Sequence, residues 1–278
     1  RIAMKKIIVI CMVLIIALGG TAQMLEVTHY SDSLGKEKTF RIILPENYND
    51  ETLYPVLYLL HGASGSHVDW HKNGILEKEA KNYELIVVTP DGENSWYVDS
   101  EIKKGSKYES YIINDLIPYV DAHYNTIDTF RGRAIAGLSM GGHGAITLAS
   151  KHPDLFGSAS STSGVLDLVP LGDVTGKKEI FGDPKENADL WVNNSAVTLA
   201  DALKKSRRKP KIMFDIGFSD VFYKTNLDYH LKLYSLGIEH TFKVYPGNHT
   251  WEFWLGHLPE HLAFHVKNLR KPLPKEEE

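Results

Sequence analysis

One short segment of the sequence has the residue types and spacing that nucleophilic catalysis requires. Ser139 lies at the centre of Gly-Leu-Ser-Met-Gly, directly after the apolar run 134–138 and before a helical pattern. A sharp strand-to-helix turn of this kind exposes a serine hydroxyl in a strained backbone conformation, and its flanking glycines avoid clashes of bulky Cβ atoms. The motif therefore predicts Ser139 as the nucleophile of an acyl-transfer reaction.

A serine nucleophile needs a histidine base and a carboxylate that orients the imidazole. The strand pattern 211–216 is followed by Asp220, and the strand pattern 240–245 is followed by His249. These loop positions match the chain order nucleophile, acid, histidine, so we predict Asp220 as the acid and His249 as the base. Asp215 alternates with apolar neighbours, and we expect its carboxylate to bond to nearby loop amides.

Two backbone N–H groups are expected to bind the oxyanion of the tetrahedral intermediate. Met140 supplies one because it follows the nucleophile at the start of the helix. Ala63 is the prediction for the second, in the loop after the strand pattern 56–60, where the sequence His61-Gly62 precedes it. Each donor of this kind contributes about 3–4 kcal/mol to transition-state stabilisation. If His61-Gly62 is only a turn, this oxyanion site is incomplete.

Aromatic residues and histidines give two further hypotheses. Trp96, Tyr97 and Trp251 are candidates for lining the acyl or alcohol pocket, although loop aromatics also serve packing. His257, His261 and His265 have the spacing of one helix face. Three ligands along one straight helix cannot converge on a single ion, and no nearby carboxylate pair supports a site. We expect neither a metal nor an organic cofactor.

The elements that must position these residues alternate between strand and helix. Short β-rich runs are predicted at 25–31, 38–44, 56–60, 85–89, 134–138, 157–161, 211–216 and 240–245. Helices are predicted over 69–81, 108–124, 140–152, 197–207, 221–236 and 251–269. This alternation favours an α/β fold with a mostly parallel sheet, helices on both faces and an antiparallel edge formed by the first two strands. Residues 164–196, rich in glycine and proline, are predicted to be an insertion over the active-site end of the sheet.

Length and charge favour one domain that does not bind nucleic acid. The chain has 278 residues, 43% hydrophobic and 24% charged, which suits a single domain over residues 23–278. The formal net charge is −4. The basic cluster before Pro210 lies where a helix is expected to end, so the helix dipole accounts for it. Its members are Lys204, Lys205, Arg207, Arg208 and Lys209.

The N-terminal segment has the pattern of a cleaved signal peptide over residues 1–22. Met4-Lys5-Lys6 precedes the apolar run Ile7–Leu18, and small residues then lead to an expected cut between Ala22 and Gln23. A membrane anchor is the alternative, but the apolar run is too short to cross about 30 Å of hydrocarbon as a helix. We therefore expect a periplasmic or extracellular protein. The only cysteine, Cys11, lies within this segment, so the mature chain should lack disulfides and thiolate chemistry.

These motifs together resemble the esterase D group, which includes feruloyl, acetyl-xylan and tributyrin esterases and S-formylglutathione hydrolase. The resemblance covers roughly residues 37–269. It rests on Leu60-His61-Gly62, Pro90-Asp91-Gly92, Trp96-Tyr97, Gly137-Leu138-Ser139-Met140-Gly141-Gly142, Phe181-Gly182-Asp183, Asp220 and Gly247-Asn248-His249.

The resemblance implies the α/β-hydrolase fold and a serine carboxylesterase that forms an acyl-serine intermediate. In the group, the acid and histidine correspond to Asp220 and His249, and the oxyanion donors to the backbone of Ala63 and Met140. We expect a small-molecule or oligosaccharide substrate carrying feruloyl or acetyl esters, as on plant-polysaccharide fragments. A tributyrin-type esterase, an acyltransferase similar to the mycobacterial mycolyltransferase antigens, and a non-catalytic carbohydrate-binding protein remain alternatives. The acyl group, the alcohol and the oligomeric state stay open.

Overall fold

A computed structural model of the chain describes residues 23–172 and 176–277. The predicted signal peptide, including Cys11, lies outside these residues. Within them, no helix combines the length and apolar character that crossing a membrane requires.

The centre of the molecule is an eight-stranded sheet in the order β1-β2-β5-β4-β6-β7-β8-β9. Strands β1 and β2 are antiparallel, as are β2 and β5, and all the other neighbouring pairs are parallel. The strands are β1 (Gln23–Ser31), β2 (Lys36–Leu44), β3 (Thr52–Leu53), β4 (Val56–Leu60), β5 (Ile86–Pro90), β6 (Arg133–Leu138), β7 (Ser158–Thr162), β8 (Lys211–Gly217), β9 (His240–Tyr245) and β10 (Leu273–Pro274). The short strands β3 and β10 pair separately. The predicted α/β class, parallel sheet and antiparallel edge are thus confirmed.

Helices cover both faces of the sheet. They are α1 (Ile75–Ala80), α2 (Tyr108–Ser110), α3 (Ile117–His123), α4 (Met140–Lys151), α5 (Lys178–Phe181), α6 (Ala188–Asn193), α7 (Ala196–Lys205), α8 (Tyr223–Ser235) and α9 (Trp251–Asn268). A π-helical segment, Tyr111–Leu116, joins α2 to α3, and single 3₁₀ turns lie at Asp69–His71, Phe130–Gly132, Val169–Leu171 and Lys275–Glu277.

Strand β4, near the middle of the sheet, is continuously apolar because both of its faces are covered. In β4, Tyr58 and Leu60 belong to the core that packs under α3, α4, α7 and α8. The alternate residues Leu57 and Leu59 face the second core, under α1 and α9. Alternation along a strand sends successive side chains to opposite faces, so one short strand contributes to two cores and carries no polar face.

One sequence expectation about helices was wrong, and two short helices were not predicted. The predicted helix 69–81 is divided, because Gly74 adopts φ +64 between a 3₁₀ turn and α1. This left-handed conformation suits glycine and interrupts the helix. The insertion 164–196 contains the helices α5 and α6, which the sequence analysis did not predict. Phe181 and Trp191 of these helices pack into the larger core, so the insertion is anchored to the sheet domain.

Candidate active site

Ser139 occupies the tight turn between β6 and α4. Its backbone has φ 53° and ψ −117°, a strained conformation for a residue with a side chain. A Cβ added to Gly137 would lie 2.4 Å from the carbonyl carbon and oxygen of Gly141, and one added to Gly141 would lie 2.5 Å from the carbonyl oxygen of Leu60. The two glycines are therefore required for the helix to start this close to the sheet, which lifts the serine hydroxyl above the strand ends.

The structure brings the three predicted side chains together in one hydrogen-bonded row. His249 Nε2 lies 3.0 Å from Ser139 Oγ, and His249 Nδ1 lies 2.9 Å from Asp220 Oδ2. An ionised carboxylate only accepts, so Nδ1–H donates to Asp220 and leaves the lone pair of Nε2 facing the serine hydroxyl. The second oxygen of Asp220 accepts the N–H of Phe222 at 2.9 Å. The arrangement can take the proton from Ser139 as its oxygen attacks a carbonyl carbon.

The loops that carry the acid and the histidine are bonded to each other. The N–H of Phe218 donates to the carbonyl of Tyr245 at 2.7 Å, and the N–H of Ser219 donates to the carbonyl of Gly247 at 3.0 Å. A Cβ on Gly217 would lie 2.4 Å from the oxygen of Gly247, so the two loops are in direct contact. This contact sets the separation between Asp220 and His249.

Two aromatic rings flank the imidazole of His249, and the sequence analysis did not identify them. The ring centroids of Phe222 and Trp254 lie 4.9 and 4.8 Å from that of His249, both in edge geometry. Their only signal in the sequence was proximity to the predicted acid and histidine. These contacts restrict rotation of the imidazole and limit water around it.

Ala63 and Met140 both lie next to the serine. Gly62 packs so closely on the nucleophile that a Cβ added there would be 3.4 Å from Ser139 Cβ and 2.6 Å from Leu138 Cδ1. Among the turn, loop and side-chain hydrogen bonds of the described residues, none uses the N–H of Ala63 or of Met140. Both N–H groups are thus free to donate to a further acceptor.

Asp215 does not have the environment that the sequence predicted. Its side chain is buried, and Oδ2 lies 3.2 Å from Nε2 of His261 on α9. No loop amide donates to either carboxylate oxygen among the described hydrogen bonds. The expectation of loop amides was wrong because this side chain of β8 points into the interface between the sheet and α9, where it faces Nε2 of His261.

Two histidines of the predicted row, His261 and His265, bond to the sheet. His261 Nδ1 and His265 Nε2 each lie 2.8 Å from Ser160 Oγ, and His265 Nδ1 lies 2.8 Å from Ser158 Oγ. These bonds join the two histidines and the two serines in one buried chain, and the carboxylate of Asp215 lies beside its His261 end without a hydrogen bond to it. Burial, with a smaller effect of His261, lowers the pKa of His265 to about 3, so this imidazole is neutral.

His257, the third member of the row, bonds through Nδ1 to the carbonyl of Phe253 at 2.8 Å. In the part of the chain that the structure describes, no group of three or more His, Cys, Asp or Glu side chains is arranged to hold a metal ion. The histidines of this row therefore bond helix α9 to the sheet and to its own backbone.

Trp96 and Tyr97 are more deeply buried than pocket-lining residues would be. Their exposures are 1% and 0%, and both have a left-handed backbone with φ near +57 and +56. The Tyr97 hydroxyl donates to the carbonyl of His61 at 3.1 Å. The prediction of direct substrate contact is thus corrected, since these side chains support the loop beside the serine. Trp251 is half-buried and packs on Trp254 at 5.2 Å, so it remains near the site.

This fold and this site define a serine hydrolase of the α/β-hydrolase class. The family model named Esterase, described as "Putative esterase", matches residues 31–265. The chain belongs to this family, and the resemblance to the esterase D group is confirmed. The protein is accordingly a carboxylic ester hydrolase acting on small-molecule esters.

Individual relatives agree with this assignment. An acetyl esterase of Caldicellulosiruptor saccharolyticus is 26% identical over 250 residues, which span 83% of this chain and 93% of that protein. Among solved structures, a fluorophosphonate-binding serine hydrolase of Staphylococcus aureus has a TM-score of 0.79 and 25% identity, covering 89% of this chain and 99% of its own. A ferulic acid esterase has a TM-score of 0.77 and 26% identity, covering 89% of this chain and 98% of its own.

Proposed function

We propose that Ser139, His249 and Asp220 are the nucleophile, the general base and the orienting acid of this esterase. The supporting observation is the single imidazole that contacts both the serine hydroxyl and the carboxylate. Ser139 Oγ attacks the ester carbonyl while its proton passes to His249 Nε2. Asp220, already bonded to Nδ1, stabilises the imidazolium that results.

The same groups complete the reaction. The tetrahedral oxyanion accepts hydrogen bonds from the N–H groups of Ala63 and Met140. His249 then returns its proton to the leaving alkoxide, which departs as the alcohol and leaves an acyl-serine. In the second half, His249 removes a proton from water, the resulting hydroxide attacks the acyl carbon, and Ser139 Oγ leaves with that proton.

We propose that the substrates are feruloyl or acetyl esters on plant-polysaccharide fragments. The names of two relatives, an acetyl esterase and a ferulic acid esterase, support this choice. The insertion 164–196 begins next to Ser139, because the backbone nitrogen of Val165 lies 3.4 Å from the carbonyl oxygen of Ser139 and donates to it. A segment at this position can shape one wall of a cleft for a bulky alcohol group.

Export of the protein is part of this proposal. The signal-peptide pattern of residues 1–22 would deliver the enzyme to the compartment in which polymer fragments are met. Glutathione thioesters are cytosolic, so the pattern argues against S-formylglutathione as the substrate. Localisation of the natural protein by cell fractionation, with mass determination of its N-terminus, tests this step. An intact N-terminal segment in the cytosol would contradict it.

The substrate proposal is tested by kcat/KM over a matched set of esters. The set contains methyl ferulate, a feruloylated arabinoxylan oligosaccharide, acetylated xylo-oligosaccharides, tributyrin, 4-nitrophenyl acetate and S-formylglutathione. We expect the oligosaccharide esters to exceed tributyrin and the thioester. Preference for the glutathione thioester would overturn the substrate assignment while leaving the serine mechanism intact.

A further inference from the structure

The imidazole of His61 is held between two backbone groups beside the proposed oxyanion donor. The side chain is buried, with His61 Nε2 2.8 Å from the nitrogen of Gly92 and Nδ1 2.7 Å from the carbonyl oxygen of Gly62. A backbone N–H only donates, so Nε2 must carry the lone pair that accepts from Gly92. Nδ1 therefore carries the proton and donates to the Gly62 carbonyl.

The Gly62 carbonyl and the Ala63 N–H belong to one peptide unit. In a trans peptide these two groups point in opposite directions, and the described residues contain no cis peptide. A bond that holds the carbonyl consequently fixes the direction of the Ala63 N–H. The N–H of Gly65 is a second donor to the same carbonyl, at 3.2 Å. Rotation of the peptide unit would break both bonds and turn the Ala63 N–H away from its present direction.

The loop that follows β5 holds the backbone on both sides of Ala63. The hydroxyl of Tyr97 donates to the carbonyl of His61 at 3.1 Å, and Asn94 Oδ1 accepts the N–H of Ser64 at 2.6 Å. Ser64 has a left-handed backbone with φ 59, which this bond helps to maintain. The His61 ring supplies the one side-chain donor to the peptide unit that contains the Ala63 N–H, among the described hydrogen bonds.

We propose that His61 is a positioning residue for the oxyanion site. Its Nδ1–H keeps the Gly62–Ala63 peptide unit in the orientation that presents the Ala63 N–H to the developing charge on the substrate. This inference rests on the proposed acyl-serine mechanism, and it assigns His61 no contact with the substrate. Removal of an oxyanion donor lowers kcat by about 10²–10³-fold, so loss of its orientation should lower kcat by about 100-fold.

Two polar variants separate the donating nitrogen from the accepting one. In His61→Asn, the side-chain amide nitrogen takes the place of Nδ1 and keeps the bond to the Gly62 carbonyl. In His61→Gln, the side-chain oxygen reaches the place of Nε2 and keeps the bond to Gly92, but the donor to Gly62 is lost. Because Gln preserves more of the buried volume, a purely structural role predicts that it is the better-tolerated variant.

The measurements are kcat and KM with 4-nitrophenyl acetate, the inhibition constant of an aryl trifluoromethyl ketone, and Tm. The ketone forms a tetrahedral adduct with the serine and reports the oxyanion site directly. We expect His61→Asn to keep kcat within about tenfold of wild type. We expect His61→Gln to lose about 100-fold in kcat and in ketone affinity, with KM little changed. Equal kcat values for the two variants, or better activity of Gln, would overturn the proposal.

Nitrogen-15 NMR of histidine in the wild-type protein gives a test that does not depend on the folding of any variant. The neutral ring of His61 must carry its proton on Nδ1 and not on Nε2, and the opposite tautomer would refute the inference. If the wild-type protein hydrolyses no ester, the proposed function fails. If it hydrolyses esters but the variants rank in the wrong order, only the role of His61 fails.

Discussion

The carboxylate of Asp215 lies 3.2 Å from Nε2 of His261, buried between the central sheet and helix α9. Further along the same strand and loop, the carboxylate of Asp220 is hydrogen-bonded to Nδ1 of His249 at 2.9 Å, beside the serine. One segment of the chain therefore provides two aspartate–histidine pairs. The two pairs differ in their surroundings. Only the pair of Asp220 and His249 contacts a serine hydroxyl, that of Ser139 in its strained turn.

Replacing each aspartate by asparagine should separate these roles. Asp220→Asn should lower kcat by about 10⁴-fold, because the amide favours the wrong imidazole tautomer. Asp215→Asn should lower the free energy of unfolding by about 1–3 kcal/mol, because it removes the buried carboxylate that faces Nε2 of His261, and should change kcat little. Steady-state kinetics and denaturant unfolding of both variants provide the comparison. A large loss of kcat in Asp215→Asn with unaffected Asp220→Asn would show that the acid is misassigned.

The free energy of unfolding should fall as the pH is lowered from 7.5 to 5, because buried histidine rings stay neutral in the folded chain. Burial is the main cause that lowers the pKa of His29 to about 4 and of His143 and His265 to about 3. The unfolded chain takes up protons near pH 6.5, whereas the folded chain keeps these rings neutral. Below that pH, each ring should reduce the free energy of unfolding by about 1.4 kcal/mol per pH unit.

Denaturant unfolding across this pH range measures the slope. His265→Gln should make the dependence of the free energy of unfolding on pH less steep, by the contribution of one histidine. An unchanged slope in His265→Gln would contradict the buried neutral state of this ring.

The contact between the two catalytic loops can be disturbed with one methyl group. Gly217→Ala would place a Cβ 2.4 Å from the oxygen of Gly247, so the loop that carries His249 must move. Displacement by about 1 Å costs on the order of 10²-fold in rate, and we expect kcat to fall by at least tenfold. Gly256→Ala is the matched control, because a Cβ there meets nothing within 4 Å. Similar kcat values for both variants would argue against this loop contact as the determinant of geometry.

Ester hydrolysis should survive exhaustive treatment with EDTA. In the proposed mechanism, His249 transfers the proton and backbone N–H groups stabilise the oxyanion, so no step requires an ion. Initial rates with 4-nitrophenyl acetate before and after chelation measure this. Loss of activity that zinc restores would bring back the metal hypothesis for His257, His261 and His265.

The sequence predicted which polar side chains meet at the strand ends better than it predicted the residues packed around them. Ser139, Asp220 and His249 follow three strands of one parallel sheet, and the ends of such strands meet at the same edge. The partner of Asp215 was not predictable in this way, because His261 lies on a distant helix whose packing angle the sequence does not specify. The burial of Trp96 and Tyr97 likewise depends on two consecutive left-handed residues, a conformation that neither residue type favours.

The most direct test of the central claim is covalent labelling with a fluorophosphonate, followed by peptide mass spectrometry and paired with hydrolysis by Ser139→Ala. We predict one adduct per chain, located on Ser139, and no adduct in the Ser139→Ala variant. The variant should fold with an unchanged circular dichroism spectrum and lose ester hydrolysis. An adduct on another residue, or more than a few percent of wild-type activity in purified Ser139→Ala, would contradict the assignment of Ser139 as the nucleophile.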